Sequence, residues 1–413
     1  MYGTLALSHR ALDDLVDLAG QAAIDDLRAL ARPIEGLRVL NLSLTRFGTG
    51  TADLLNSSVP LLTDLGVDAH WQLVRVSDEA LAVHRAMYQA LGGIFVPWTP
   101  DMTDTWLRHA AMNADLLTEP FDVIIVHDPQ PLAMRSFVHD SGAKWVMDCH
   151  LDLSSAQADV WMLLRSHVEK YDRAIFSAPH FARSDISIPT QVVAPAIDPN
   201  SARNMPLPDD LIRSVLEQYG IDPDRPMICQ ISPCDTASDL CGAVDAWAIV
   251  RDRHPELQLA MVLTTEPQDP SGRACYELLA DRCRDEPGAY VVSVGSELGN
   301  VEFNVFQRAA SVIMQRGLRK GFGLWVSDAL WKERPCVVAP AGGLTEQVID
   351  GKTGLVATTT EEFAAAIDKL LTDPVMARKL GENGRRHVAD HFLITRYLRD
   401  YLQILNELHR TTP

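Results

Sequence analysis

With 413 residues and 47% hydrophobic content, the chain has room for two α/β domains, each with its own core, and no long span has the composition of disorder. A formal net charge of −18 withdraws electrostatic support from a nucleic-acid or anionic-membrane partner. No apolar run is long enough to span a bilayer and the N-terminus lacks the charged-then-apolar order of a signal peptide, so a cytoplasmic protein is expected.

Residues 7–32 place Leu12, Leu15, Leu18, Ala22, Ile24, Leu27 and Leu30 at helical spacing among acids. This predicts one or two amphipathic helices whose apolar face needs a partner, either the first domain or a second subunit. Residues 37–42 read as a buried first strand, followed by the glycine-containing turn Thr45-Arg-Phe-Gly-Thr-Gly50 and a helix over 51–65. The turn lacks the G-x-G-x-x-G order, which argues against a dinucleotide site. The next strands are 121–126, delivering His127-Asp-Pro-Gln-Pro131, and 144–148, delivering Cys149-His-Leu-Asp-Leu-Ser154. Segments 174–177 and 191–193 complete the first half, and the Pro-rich stretch from 194 to about 209 reads as a linker.

The second half repeats the alternation, with strands at 227–231, 257–263 and 289–294 and a helix ending at Arg253. Cys229, Cys234 and Cys241 match no zinc spacing and the seven cysteines include no C-x-x-C pair, so reduced packing cysteines are expected and no metal. A short β-branched run at 311–313 passes through Gly321-Phe322-Gly323 into a helical segment carrying Leu324, Trp325, Ala329 and Leu330. The strand at 335–338 then ends in Gly342-Gly343, repeating the plan. Helices at 361–372, 376–389 and 394–408 close the chain.

Ligands of open parallel sheets bind outside the carboxyl ends of the strands, which singles out the groups after 126, 148 and 313. At a glycine turn the first amides of the helix point outwards with the positive dipole end behind them, a setting for an anion; a tight turn with no ligand uses the same residues. His150 has the chemistry to donate to a sugar hydroxyl, and equally that of a satisfied structural histidine. Glu297 and Glu302 stand out in no spacing that would make a glycosidase pair, and no G-x-S-x-G elbow is present.

Taken together, His127-Asp-Pro-Gln-Pro131, Cys149-His-Leu-Asp-Leu-Ser154, Gly321-Phe-Gly-Leu324 and Gly342-Gly343 resemble the family 4 retaining nucleotide-sugar glycosyltransferases, and within them the glycosyltransferring trehalose synthases. The resemblance runs over almost the whole chain. It implies an α/β fold of two Rossmann-like, doubly wound domains (the GT-B type) facing across a cleft. Residues 1–200 would form an acceptor-side domain, 201–390 a nucleotide-sugar-side domain, and 391–413 a helix packing back on the first. It implies a metal-independent glucosyl transfer from a nucleotide sugar to a small sugar acceptor, in a protein that is a homodimer or pairs with an active relative. Carried over by position, the donor contacts fall on Gly48, Gly50, Ser232, Arg319, Gly321, Phe322, Gly323 and Leu324, the acceptor contacts on Asp128, Gln130 and Asp152, and the catalytic places on His150, Lys320 and Asp328.

This chain departs from the pattern where charge matters most. The family motif Glu-Gly-Phe-Gly-Leu has Lys320 for its first acid, and Asp328 for the second. A lysine cannot accept hydrogen bonds from sugar hydroxyls. Thr49 stands for the middle of three glycines, and Gly317 where Ser is frequent. The family's Arg and Lys after the first strand of the second domain, which neutralise the departing diphosphate, are lost from Ser232-Pro-Cys-Asp-Thr-Ala-Ser238. Arg319 and Lys320 offer a local replacement. Two readings stay open: an active transferase, or a degenerate homologue serving as a ligand-binding, regulatory or scaffolding subunit.

Overall fold

The computed structural model describes residues 5–46, 49–138, 142–265, 270–295, 299–317 and 321–410. The chain divides into two compact units, residues 1–196 with 394–413, and residues 197–393.

The first unit is built on six parallel strands: β1 (Arg38–Ser43), β2 (Asp68–Leu73), β3 (Val123–His127), β4 (Lys144–Cys149), β5 (Arg173–Phe176) and β6 (Thr190–Val192), in the order β2-β1-β3-β4-β5-β6. The inner strands read as near-continuous apolar runs because helices cover both faces: every residue of β3 is buried, and so are Val39 to Ser43 of β1. β2 escapes a pattern search because its sequence, Asp-Ala-His-Trp-Gln-Leu, belongs to an edge strand with only Trp71 and Gln72 buried. The helix after β1 runs Gly50–Asp64 and is capped by Thr49, whose side chain accepts from Ala52 N at 3.1 Å.

The N-terminal amphipathic stretch breaks at Gly20 (φ 82°) into short turns and the helix Gln21–Ala31. Its apolar face finds its partner within the same unit. Leu12, Ile24, Leu27 and Ile34 share one cluster with Val39, Leu54 and the last helix, Ile394–Arg410, through Tyr397, Leu398, Tyr401, Leu402 and Leu405. The opposite face of the sheet is closed by Trp106, Trp145, Trp161 and Phe181.

The second unit carries β7 (Met227–Pro233), β8 (Gln258–Thr265), β9 (Ala289–Gly295), β10 (Val312–Gln315), β11 (Cys336–Val338) and β12 (Leu355–Val356), all parallel, in the order β12-β11-β10-β7-β8-β9. Read from β9, this is the doubly wound 3-2-1-4-5-6 order, with its reversal between β7 and β10. In the first unit the reversal falls between β1 and β3.

Leu402 is fully buried between the N-terminal helix and the sheet. Leu402→Ala should lower the unfolding free energy by about 3 kcal/mol, measured by urea denaturation at neutral pH.

Candidate active site

In the first unit, four neighbouring strands bring polar groups to one carboxyl edge. The loop after β1 leads to Gly50 and Thr51, β3 ends in His127 and Asp128, β4 in Asp148, Cys149 and His150, and β5 is followed by Ser177. Asp128 has a left-handed backbone (φ 67°), unusual for a residue with a side chain. Its carboxylate ties the edge together, accepting from Thr51 Oγ1 at 3.1 Å and from the His150 amide at 3.3 Å. Gln130 is buried; its backbone oxygen accepts from Trp106 Nε1 at 2.7 Å, while its Oε1 meets no donor among the described residues. Asp152 closes a local turn by accepting from Ser154 N at 2.9 Å.

His150 is 13% exposed and turns both ring nitrogens towards protein groups: Nδ1 to Ser177 Oγ at 3.1 Å and Nε2 to His127 Nδ1 at 3.4 Å. A sugar hydroxyl therefore meets the edge of the ring unless the imidazole rotates. Behind it, fully buried His127 pairs its Nε2 with Asn41 Oδ1 at 3.0 Å, and Asp148 accepts from the Tyr401 hydroxyl of the last helix. Burial, reinforced by the neighbouring His150, holds His127 well below the ordinary imidazole value, so it is neutral. Burial also raises the Asp148 carboxyl, against the opposing pull of His150 and Tyr401.

In the second unit the edge is assembled at the reversal between β7 and β10. Gln230 Oε1 accepts from Arg316 N at 3.0 Å, its Nε2 donates to Ser238 O at 3.0 Å, and Gln315 Nε2 donates to Ser232 Oγ at 3.3 Å. Ser238 is folded onto Asp235 Oδ1 at 2.6 Å. Arg316 reaches the end of this loop by donating to Asp239, the residue after Ser238. It pairs with Asp239 at 2.6 Å and lies over the Phe363 ring, and its Nη1 has no acceptor among the described residues.

The two glycine turns are locked together. Gly323 (φ 76°) opens the helix Leu324–Trp331, and Gly343 N donates to Gly321 O at 3.3 Å. A Cβ on Gly343 would come within 2.6 Å of the Phe322 ring, so only glycine fits. Gln347 clamps the pair by donating to Phe322 O and Gly343 O and accepting from Ser327 N. Phe322 and Leu324 are buried, Phe322 against Phe392, so their side chains pack rather than face outwards. Gly48, Arg319 and Lys320 lie outside the described residues.

Asp328 is only 1% exposed and belongs to a buried polar network: Asn204 Nδ2 donates to its Oδ1 at 2.7 Å, and the Arg203 guanidinium lies 3.6 Å from Oδ2. Lys332, one turn later, donates to Asn204 Oδ1, Gln307 Oε1 and Asp328 O at 2.7, 2.8 and 3.0 Å. Burial, partly offset by Asp328, pushes its amine down to about 7. Asn41, Ser177, Asn204, Arg316, Lys332 and Tyr401 carry no sequence signal, because each is a single residue whose partner is remote in the chain.

A family model for the trehalose synthase N-terminal domain matches residues 41–183, and one for glycosyl transferases group 1 matches residues 213–387. The trehalose synthase of Thermococcus litoralis is 33% identical over 403 residues, covering 96% of this chain and 97% of its own. The chain belongs to the trehalose synthase family of glycosyltransferases. The family member from Rubrobacter xylanophilus is likewise 33% identical over 406 residues, covering 97% of each chain. Among solved structures, a trehalose-6-phosphate structure from E. coli bound with UDP-2-fluoro glucose is similar with a TM-score of 0.73 at 15% identity, over 90% of this chain and 99% of that one. Sucrose-phosphate synthase of Thermosynechococcus elongatus gives 0.71 at 17% identity, over 91% and 99%. The fold of this trehalose synthase homologue is therefore of the GT-B type, two parallel α/β sheets with flanking helices. Among the described residues no helix is long and apolar enough to cross a membrane.

The lowered Lys332 value fixes a sign. Between about 7 and the ordinary lysine value the unfolded chain binds a proton that the folded chain does not, so the wild type loses stability as pH falls through that window. The difference in stability between wild type and Lys332→Met, followed by chemical denaturation from pH 10 to pH 7, should move against the wild type.

Proposed function

We propose that this protein is a retaining glycosyltransferase that moves a glucosyl unit from a nucleotide-activated donor to a sugar acceptor such as glucose, giving a disaccharide of the trehalose kind. The observation that carries the reading is the locked pair of glycine turns at the sheet reversal of the second unit, in a chain related to trehalose synthases along almost its whole length. Among the described residues the amides of Leu324 and Trp325 meet no acceptor, so the start of this helix is available to a diphosphate.

In the reaction, the bond from the anomeric carbon to the diphosphate oxygen breaks as the acceptor hydroxyl forms its bond on the same face. Negative charge grows on the diphosphate, so donors placed there lower the barrier most. We assign that work to the turn at Gly321 and Gly323, with Arg319 and Lys320 supplying the positive charge that the loop from Ser232 to Ser238 lacks, and with no metal taking part. Gly48 and Gly50 would lie under the donor, and Asp128, Gln130 and Asp152 would meet the acceptor, with Gln130 Oε1, which meets no donor among the described residues, ready to receive a hydroxyl. Asp328 acts by holding the helix after the turn to Asn204, and reaches a ribose only if that bond opens.

A second reading, a degenerate homologue retained for binding or regulation, is favoured by one specific observation. The loop after β7 is folded on its own serines and acids, and the cation beside it, Arg316, is already paired with Asp239.

Calorimetric titration with UDP, ADP, GDP and their glucose conjugates, followed by a product assay with glucose, separates the two. The transferase reading expects binding of at least one nucleotide and a disaccharide product. Lys320→Glu should change which donor is used, and Gly343→Ala should weaken donor binding about tenfold, since the added methyl must displace the Phe322 turn at a cost of about 1–3 kcal/mol. Absence of binding to every nucleotide at millimolar concentration overturns it. Binding without turnover selects the second reading.

A further inference from the structure

The second unit gathers four cysteines that the proposed transfer does not use. Cys234 lies in the loop after β7, Cys241 in the first turn of the helix Leu240–Arg251, and Cys275 and Cys283 in the helix Pro270–Cys283. All four are thiols. Cys234 and Cys283 share one hydrophobic cluster, and Cys275 packs against it. There the Cys275 side chain is hydrogen-bonded to Cys234, so the two sulfurs already meet.

The two thiols differ in the way an attacking and a resolving sulfur must. Cys275 is partly exposed, whereas Cys234 is buried at 4% exposure. A small disulfide in solution therefore reaches Cys275 first, and Cys234 only through it. Burial raises the Cys275 thiol, and the hydrogen bond from Cys234 pulls against that rise by favouring the thiolate. Cys241 is exposed, but burial of its sulfur and the carboxylates of Asp245 and Asp239 raise its thiol. An attacking thiolate is thus stabilised by a neighbouring thiol at Cys275 and opposed by acids at Cys241.

We propose that Cys234 and Cys275 form a site of reversible oxidation, closing to an intramolecular disulfide by exchange with a low-molecular-weight disulfide of the glutathione class. The Cys275 thiolate attacks one sulfur of that disulfide, the other sulfur leaves as a thiolate, and a mixed disulfide remains on Cys275. Cys234, deprotonated in turn, attacks the Cys275 sulfur and expels the second small thiolate. The protein sulfurs lose two electrons and two protons, and the small disulfide becomes two thiols. Closure draws the sulfurs from hydrogen-bonding contact to about 2.05 Å, a shift that side-chain rotation and the loop must supply. The loop is held by Cys234 N donating to Thr264 O at 3.2 Å and by Ser238 on Asp235. Oxidation adds a covalent tie from this loop, at the edge where the strand order reverses, to the helix Pro270–Cys283. The bond depends on sulfur chemistry alone, so it stands whether or not the proposed transfer does.

The test uses the full-length protein, reduced, freed of reductant and incubated at pH 8.5 with millimolar oxidised glutathione, then alkylated, digested and mapped by mass spectrometry. The expected product is an intramolecular link between Cys234 and Cys275 that dithiothreitol reverses. In the oxidised protein the amides of the loop after β7 should exchange with deuterium about tenfold more slowly than in the reduced protein. Cys275→Ser should abolish the link, and Cys241→Ser should leave it intact. Circular dichroism checks that Cys275→Ser is folded; if it is not, the wild-type map and the Cys241→Ser map decide. Glutathione left on Cys275 without closure, no reaction of either thiol, a link from Cys275 to Cys241 or Cys283, or a Cys234–Cys275 link that leaves the loop amides exchanging as before overturns the proposal.

Discussion

The hydrogen bond from Tyr401 to Asp148 joins residues 253 positions apart and underlies the architecture of the first unit. A carboxylate 1% exposed is costly to bury without partners, and its partners here come from the last helix and from the ends of β3 and β4. Docking of that helix thus serves two ends. It covers the apolar stripe of the N-terminal segment and one face of the sheet, and it places a hydroxyl beneath the histidines of the carboxyl edge. The hydrophobic contacts supply the attraction, while the buried polar group fixes the register at which the helix can settle.

The two units solve the same problem with different chemistry. Each sheet reverses its strand order once, and each reversal leaves a crevice at the carboxyl ends of its strands. In the first unit that edge is lined by imidazoles, carboxylates and a strained Asp128 held by Thr51 and the His150 amide. In the second it is lined by glycines, serines and side-chain amides, with Gln230, Gln315 and Gln347 acting as internal braces. The loop after β7 carries no cation of its own and is folded on Ser238 and Asp235.

The Lys332 network shows how the second unit supports its turn. Asn204 is bonded at once to the Asp328 carboxylate and to the Lys332 amine, so the segment after residue 197 is welded to the helix that the glycines begin. Gln307 brings in the preceding helix as well. Each member satisfies the next, so the middle and the C-terminal end of this helix are held by buried polar bonds. Asp328, which sequence reasoning sets against a ribose, is in this way committed to holding the scaffold together.

Sequence by itself determined the alternation of strands and helices, because parallel strands buried on both faces leave apolar runs that glycines and prolines punctuate. It also determined the family, because the segments at 127–131, 149–154 and 321–324 are contiguous and keep their spacing. It missed β2, whose edge position leaves half of its residues polar, and it left the partner of the N-terminal helices open. Only the tertiary structure decided that partner, and only it brought together Asn41, His127, Asp148, His150, Ser177 and Tyr401, or Asn204, Gln307, Asp328 and Lys332. The physical reason is common to both. Secondary structure and local turns are written in neighbouring residues, whereas a buried hydrogen-bonded cluster depends on which strands lie side by side and which helix closes over them.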